Sequence, residues 1–347
     1  MDNFNKILHD DFAFILRSGL PFSKLKDKNL LISGANGFIA SYLIRFLSEI
    51  NSSLSLNLKV TGIVRDLIKA KNKFKDLDAE FLDLNDSNIL NPIQINGKFD
   101  FIIHMASIAT PRLFSSNPIE VVLPNTLGTI NLLNFASLHN IDRFIFFSTT
   151  GVNGFVDDNL RPIAENIYGG LDPSKVENCY LESKRMGENL CFAWHHQKNV
   201  PIQVIRPAIT YGPGVPLDDG RSYADFISNI LKDENIKLYS KGDAIRNFCY
   251  IADFISGFFY SIFYGNIGET FNISSEREYS ILELAEILTK DAFKEKSLSI
   301  DFDYENNDFM RVNFNRTTVS TKKLRMYGWN EHFTIQEGMQ RTVESYL

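Results

Sequence analysis

Tyr180 and Lys184 are the residues of this 347-residue chain whose types and spacing most directly suggest chemistry. Four positions apart on a helix, they share one face, one turn from each other. A free phenol titrates near pH ~10, too high for a base at neutral pH. An ammonium close by favours the phenolate, the more so where water is excluded. Such a unit can move a hydroxyl proton while a hydride leaves the same carbon. Tyr and Lys at this spacing also occur on many solvated helices, so the surrounding elements decide whether the pair can react.

The first of those elements must hold a cofactor. Asn29–Ser33 is a short apolar run suited to a buried parallel strand, and Gly34-Ala35-Asn36-Gly37-Phe38-Ile39-Ala40 follows it and leads into a helical pattern over 41–50. Gly34 suits a tight turn, Gly37 a backbone that approaches a pyrophosphate, and Ala40 close helix–strand packing. Phosphates would then rest on a helix N-terminus. A second strand over 58–64 ends in Val64-Arg65-Asp66. Val64 followed by Arg65, with Lys69 and Lys71 near, suits a 2′-phosphate and favours NADP(H), with NAD(H) as the alternative if Asp66 serves the ribose.

The elements continue in alternation. Strands are expected over 80–84, with Asp83 at the end facing the adenine, over 99–104, leading into Met105-Ala106-Ser107, over 142–148 and over 200–206. A long helix is expected over 118–140 and the Tyr180 helix over 173–198. Thr149-Thr150-Gly151 falls at a strand's C-terminal end, where open α/β sheets bind ligands. The expected fold is α/β: a doubly wound Rossmann-type parallel sheet with a smaller C-terminal mixed α/β substrate domain. The boundaries read as 1–206, with 247–272 returning to it, against 207–246 and 273–347. An amphipathic helix within residues 7–16 precedes the first strand, packed outside the core. His104 reads as structural, and His195-His196 as polar helix surface.

Composition excludes several classes. Hydrophobic content of 44% and charged content of 22% describe a globular chain. A net charge of −6 without a basic block speaks against nucleic acid, and the absence of a long apolar run speaks against a membrane. Cys179, Cys191 and Cys249 lack metal-site spacing and fit free thiols in a reducing cytoplasm; no metal is expected.

The chain resembles the extended short-chain dehydrogenase/reductase family of nucleotide-sugar epimerases, dehydratases, decarboxylases and reductases. The resemblance rests on Gly34-x-x-Gly37-Phe38-Ile39-Ala40, Asp83-Leu84, His104-Met105-Ala106, Asn125-Thr126-Leu127-Gly128-Thr129, Phe147-Ser148-Thr149-Thr150-Gly151-Val152-Asn153-Gly154, Tyr180-x-x-Ser183-Lys184 and Arg206-Pro207-Ala208-Ile209-Thr210-Tyr211-Gly212-Pro213-Gly214. It implies that Thr149 bonds the reacting sugar oxygen, Tyr180 is the base, and Lys184 holds the nicotinamide ribose and lowers the phenol's pKa. It implies that Asn125 shapes the helix beside the nicotinamide, with helix capping as the alternative. Gly34, Asn36, Gly37, Phe38, Ile39, Arg65, Asp83, Leu84, Met105 and Ala106 would line the dinucleotide. Thr149, Thr150, Arg221 and Arg246 would meet a nucleotide-diphosphate sugar, the two arginines clamping the diphosphate. Asn153 stands where the family has Tyr.

Family dehydratases carry Asp-Glu directly after the active Thr, and decarboxylases a Glu at the second of those positions; here Thr150 and Gly151 stand there. Neither exchanges a proton near neutral pH, which leaves hydride transfer at one carbon. The expectation is NADPH-dependent reduction of a nucleotide-linked 4-keto (6-deoxy) sugar for surface-polysaccharide precursors. A 4-epimerase with tightly bound NAD is the alternative, and a 4,6-dehydratase or decarboxylase a further one. The family also implies a homodimer, through helices 118–139 and 173–198.

Overall fold

Short apolar runs between glycine-bearing turns form the strands at the centre of the protein. β1 (Asn29–Ser33), β2 (Lys59–Ile63), β3 (Leu82–Asn85), β4 (Phe101–His104), β5 (Arg143–Phe147) and β6 (Ile202–Pro207) are followed by the peripheral β7 (Ile209–Tyr211), β8 (Ile236–Leu238) and β9 (Ile245–Tyr250). β10 (Thr270–Ile273) then pairs with β6. The central sheet has seven strands in the order β3-β2-β1-β4-β5-β6-β10, every pair parallel. This is the doubly wound arrangement, with one strand more than the six expected. Chain order reverses between β1 and β4, the switch point at which such sheets open a crevice. The computed structural model describes residues 2–218, 220–304 and 316–347; Asp219, in the loop before Arg221, and residues 305–315 of the expected substrate domain lie outside the described residues.

Both faces of the sheet are covered, which is why its strands are apolar throughout. Leu30, Ile32, Ile145 and Phe147 point into one core with helix α2 (Phe38–Leu54). Leu31, Phe144 and Phe146 point into the other, with Leu132, Leu133 and Cys191 from helices on that face. Helix α1 (Asn3–Leu16), capped by the Asp2 side chain, starts earlier than expected and enters the first core rather than lying outside it. Its buried Asp11 accepts hydrogen bonds from Tyr42, Tyr250 and Arg341. That carboxylate ties the N-terminal helix to α2, β9 and the C-terminal helix.

The remaining helices in order are α3 (Leu67–Lys73), α4 (Leu113–Ser116), α5 (Pro118–Asn125), α6 (Leu127–Ser137), α7 (Cys179–Lys198), α8 (Ser222–Leu231), α9 (Ile251–Tyr264), α10 (Ile281–Glu286), α11 (Lys322–Met326) and α12 (Ile335–Glu344). The long helix expected over 118–140 is two helices broken at Thr126. Pro124 offers no N–H and its ring crowds the preceding turn, so the ladder fails there. The helix expected over 173–198 begins at Cys179, after a tight turn at Val176–Asn178. Beside the central sheet, β9 runs parallel to β7 and antiparallel to β11 (Glu278–Ser280), and β8 pairs with β12 (Ile300–Phe302).

Candidate active site

The crevice floor is built by glycines. Gly34 has φ +72°, and a Cβ there would lie 2.6 Å from Ala106 Cα and 3.0 Å from the Met105 carbonyl carbon. Only glycine allows that turn to pass so close to the chain leaving β4. Gly37 caps α2 through its backbone alone, leaving the first N–H groups of a 17-residue helix without a side-chain acceptor. The Asn36 Oδ1 beside them is buried and has no hydrogen-bond partner among the described residues. An uncapped helix start and an orphaned buried amide oxygen fit a dinucleotide diphosphate.

At the ribose end of β2, Arg65 is exposed, and Asp66 caps α3 by accepting from the Lys69 N–H at 2.9 Å. Lys73, not singled out in the sequence, donates to the Asn36 carbonyl at 3.1 Å. Burial, then the charges of Arg45 and Lys69, push its ammonium down to about 8. Its signal was the basic run 69 to 75, of which the sequence reading used Lys69 and Lys71 alone. Asp83 is not at the strand end: β3 runs on to Asn85, and Asp83 sits exposed opposite Thr61. Leu84 packs over Gly62, at 3.2 Å from where a Cβ would be.

Thr149 leaves β5 in extended conformation and opens a tight turn over Thr150–Asn153, its hydroxyl accepting from the Gly151 N–H at 3.3 Å. The Tyr180 phenol, near the start of α7, lies close enough to that same Thr149 hydroxyl for it to act on the phenol's pKa. Phe114 stacks flat on Tyr180, ring centres 4.8 Å apart and planes 7° apart. It lies in a one-turn helix without periodicity of its own and gave no signal in the sequence. Burial raises the phenol above its ordinary value, while the Arg221 charge and the nearby Thr149 hydroxyl act the other way.

Lys184 was expected to lower the Tyr180 pKa, but its ammonium is engaged elsewhere. Its side chain is 2% exposed, donates to the Phe147 carbonyl at 2.6 Å and lies 5.0 Å from the centre of the Phe146 ring. Burial pushes it down to about 7, against the opposing charges of Glu188 and Cys191. Arg221, expected at the diphosphate, donates to the Ala109 carbonyl at 2.7 Å, and its charge acts on the Tyr180 phenol. Arg246 donates to its neighbour's carbonyl, that of Ile245, at 2.8 Å.

Several contacts seat α7. Asn125 is fully buried and donates to the Val121 carbonyl and to the Ser183 hydroxyl, both at 3.0 Å. It thus ties the end of α5 to the turn between Tyr180 and Lys184. The break at Thr126 leaves two carbonyls to satisfy. Thr129 donates to Asn125 O at 2.7 Å, and His104 Nε2 donates to Pro124 O at 3.1 Å. A carbonyl can only accept, so Nε2 carries the proton and Nδ1 accepts from Ser33 at 2.7 Å. Burial and the Lys184 charge push His104 down to about 3, so it stays neutral, structural as expected. At Gly187 a Cβ would lie 2.4 Å from Phe146 Cζ and 2.8 Å from Asn125 O. The next residue, Glu188, accepts two hydrogen bonds from the buried Arg206 of β6, at 2.8 and 2.7 Å. His195 is more than surface: its Nδ1 donates to the Val200 carbonyl at 2.8 Å. Asn153 is buried and donates to Ile167 O at 2.7 Å.

Known proteins resemble this chain along most of its length. Residues 30–274 match the model of the NAD dependent epimerase/dehydratase family. UDP-glucuronic acid decarboxylase 5 of Arabidopsis thaliana is 31% identical over 334 residues, covering 95% of this chain and 93% of the relative. UDP-glucuronic acid decarboxylase 1 of Danio rerio is 29% identical, covering 94% and 75%. Among solved structures, UDP-glucuronic acid 4-epimerase from Bacillus cereus, in complex with UDP-glucuronic acid and NAD, superposes with TM-score 0.75 at 23% identity, covering 91% of this chain and 98% of its own. RMD from Pseudomonas aeruginosa, complexed with NADPH, gives 0.70 at 22% identity, covering 92% and 98%. Motif order, sheet topology and the span of these matches agree: the chain is an extended short-chain dehydrogenase/reductase and belongs to the NAD dependent epimerase/dehydratase family.

Proposed function

We propose that the protein transfers a hydride between a nicotinamide dinucleotide and C4 of a nucleotide-diphosphate sugar, with Tyr180 exchanging the hydroxyl proton. The observation that carries this reading is the placing of Thr149, at the end of β5, beside Tyr180, which lies one helical turn from Lys184 on α7. Gly34, Asn36, Gly37, Phe38 and Ile39 would hold the diphosphate of the cofactor. Met105 and Ala106 would pass beneath it, with Asp83 and Leu84 toward the adenine. Lys184 would give up its carbonyl partner for the ribose hydroxyls and the phenol oxygen; Asn125 would hold the helix that carries both. The cofactor supplies the hydride acceptor or donor. Thr150 and Gly151 place no acid beside Thr149, so the chemistry is ketone–alcohol interconversion without loss of water.

The finer reading is reduction of a nucleotide-linked 4-keto sugar by NADPH. Arg65, Lys69 and Lys73 around the ribose end support NADP(H), and Asp66 is engaged at its helix cap. Arg246 would face the substrate's diphosphate and Arg221 its sugar. A second reading is a 4-epimerase that returns the hydride to the same carbon. It is favoured by the Bacillus cereus neighbour with UDP-glucuronic acid and NAD, and UDP-glucuronic acid is also the substrate named in the curated relatives.

Release of bound nucleotide from purified protein, followed by turnover assays, separates the two. NADPH oxidation on a nucleotide-linked 4-keto sugar supports the reductase. Retained NAD, with conversion of a nucleotide sugar and no net cofactor change, replaces it with the second reading. No C4 chemistry on either substrate would refute the proposal as a whole.

Assembly and location complete the proposal. Leu127 and Met186 are 38% and 51% exposed on the outer faces of α6 and α7, which supports a homodimer through those helices. Val121, Leu132, Leu133 and Phe135 of α5 and α6 are buried within the subunit. Three free cysteines support a reducing, cytoplasmic setting. Among the described residues no helix is long and apolar enough to cross a membrane.

A further inference from the structure

Tyr180 has a neighbour whose place in the molecule core packing does not explain. Phe114 lies flat on the phenol ring, centres 4.8 Å apart and planes 7° apart. It is half-buried, and among the described residues it joins neither of the two hydrophobic cores. A ring left outside the core adds little stability through burial, so its face-to-face contact with the reacting group is the feature to explain.

The chain around Phe114 is fixed so that the ring arrives in one orientation. The Phe114 N–H donates to the Pro111 carbonyl at 3.0 Å, and the Leu113 N–H to the Thr110 carbonyl at 3.0 Å. Upstream, the Ala109 carbonyl accepts from Arg221 at 2.7 Å. The Phe114 carbonyl accepts from the thiol of Cys179, the residue before Tyr180, at 3.3 Å. Backbone and ring of Phe114 thus meet two successive residues at the start of α7.

We propose that Phe114 is a positioning residue: its ring sets the plane of the Tyr180 phenol, and with it the direction in which the hydroxyl proton is exchanged. The inference rests on the reading of Tyr180 as the proton-exchanging group, and it names what aims that group. Conjugation holds the O–H of a phenol in the plane of its ring. The last side-chain torsion of a tyrosine is soft, so the backbone of α7 does not choose that plane. A parallel aromatic neighbour does, because offset-stacked rings keep their planes aligned. It also blocks a swing of the phenol across its own plane, which would carry the oxygen away from Thr149. A branched aliphatic chain fills the same space and defines no plane.

Steady-state and single-turnover hydride transfer in wild type, Phe114→Leu and Phe114→Tyr test this. The probes are NADPH with UDP-4-keto-6-deoxyglucose, and NAD with UDP-glucuronic acid. Phe114→Leu is expected to lose about 10- to 100-fold in kcat, as for a reacting group about 1 Å out of place. KM for cofactor and sugar should stay within a few fold, and the solvent deuterium isotope effect on kcat should grow as proton transfer slows. Phe114→Tyr, which keeps the ring, restores kcat to within a few fold of wild type. In Phe114→Leu an unchanged kcat or an unchanged isotope effect overturns the inference, as does an equal loss in Phe114→Tyr. A loss confined to KM overturns it too, since the ring is then a substrate contact. A Phe114→Leu protein that fails to fold makes the ring a core residue and is equally fatal. A wild type that turns over neither pair, or a Tyr180→Phe variant as active as wild type, refutes the reading of Tyr180 itself, and the inference with it.

Discussion

Gly187→Ala places a methyl group in the seam between α7 and the sheet, where the structure leaves no room. The new carbon would lie 2.4 Å from Phe146 Cζ and 2.8 Å from Asn125 O. Carbon contacts settle at about 3.5–4.0 Å, so α7 and β5 must part by roughly 1 Å. Overpacking of this kind costs about 1–3 kcal/mol, and alanine's better helix propensity returns about 1 kcal/mol of it. The net loss of stability is therefore small, up to about 2 kcal/mol. Activity should suffer more. Tyr180 and Lys184 ride on the same helix, and a displacement of about 1 Å in a reacting group costs on the order of 100-fold. Urea unfolding gives the first quantity, and single-turnover hydride transfer followed by nicotinamide absorbance gives the second. Gly170→Ala, where nothing among the described residues lies within 4 Å, is the control and should change neither. An unchanged unfolding midpoint together with an unchanged rate in Gly187→Ala would refute the seam argument.

Tyr180→Phe keeps the Phe114 stack and removes only the hydroxyl, so turnover should vanish while cofactor affinity stays within a few fold; surviving activity would discard Tyr180 as the base. Glu188→Ala leaves the buried Arg206 guanidinium without its counter-charge and should cost about 3–5 kcal/mol in chemical denaturation. A loss under about 1 kcal/mol would mean the pair acts like a surface bridge. Lys184, held at about 7 against an ordinary 10.5, loses its proton in the native state before it does in the unfolded chain. Its contribution to stability should therefore rise between those two values, by about 1.4 kcal/mol per pH unit, when wild type is compared with Lys184→Met. Parallel pH curves for the two proteins would contradict its burial as a titrating group.

What could be read from the sequence were the features with local causes. The run Asn29–Ser33 and the glycines after it announce their strand and turn, because a buried parallel strand must be apolar and the turn must lack side chains. Tyr180 and Lys184 share a helix face by spacing alone. Features decided by distant partners were not legible. β10 is four residues long and becomes a strand because β6 offers it an edge. The Lys184 ammonium meets the Phe147 carbonyl because two elements 37 residues apart close on each other. Phe114, in the one-turn α4, and Arg221, just ahead of α8, act on Tyr180 from distant parts of the chain. The break at Thr126 was visible, since Pro124 stands inside the segment, but the apolar periodicity on both sides concealed it.

The kink at Thr126 also divides the protein's response to acidity. Its loose carbonyls are held by a threonine, which does not titrate, and by His104, which takes a second proton only near pH 3. Asn125 and Ser183, which link that kink to α7, do not titrate either. From mildly acidic to alkaline solution these supports of the Tyr180 helix keep one protonation state, while Lys184 beside them changes its own. A pH–rate profile of this protein would then record the groups that react, without a superimposed melting of the kink on which they stand.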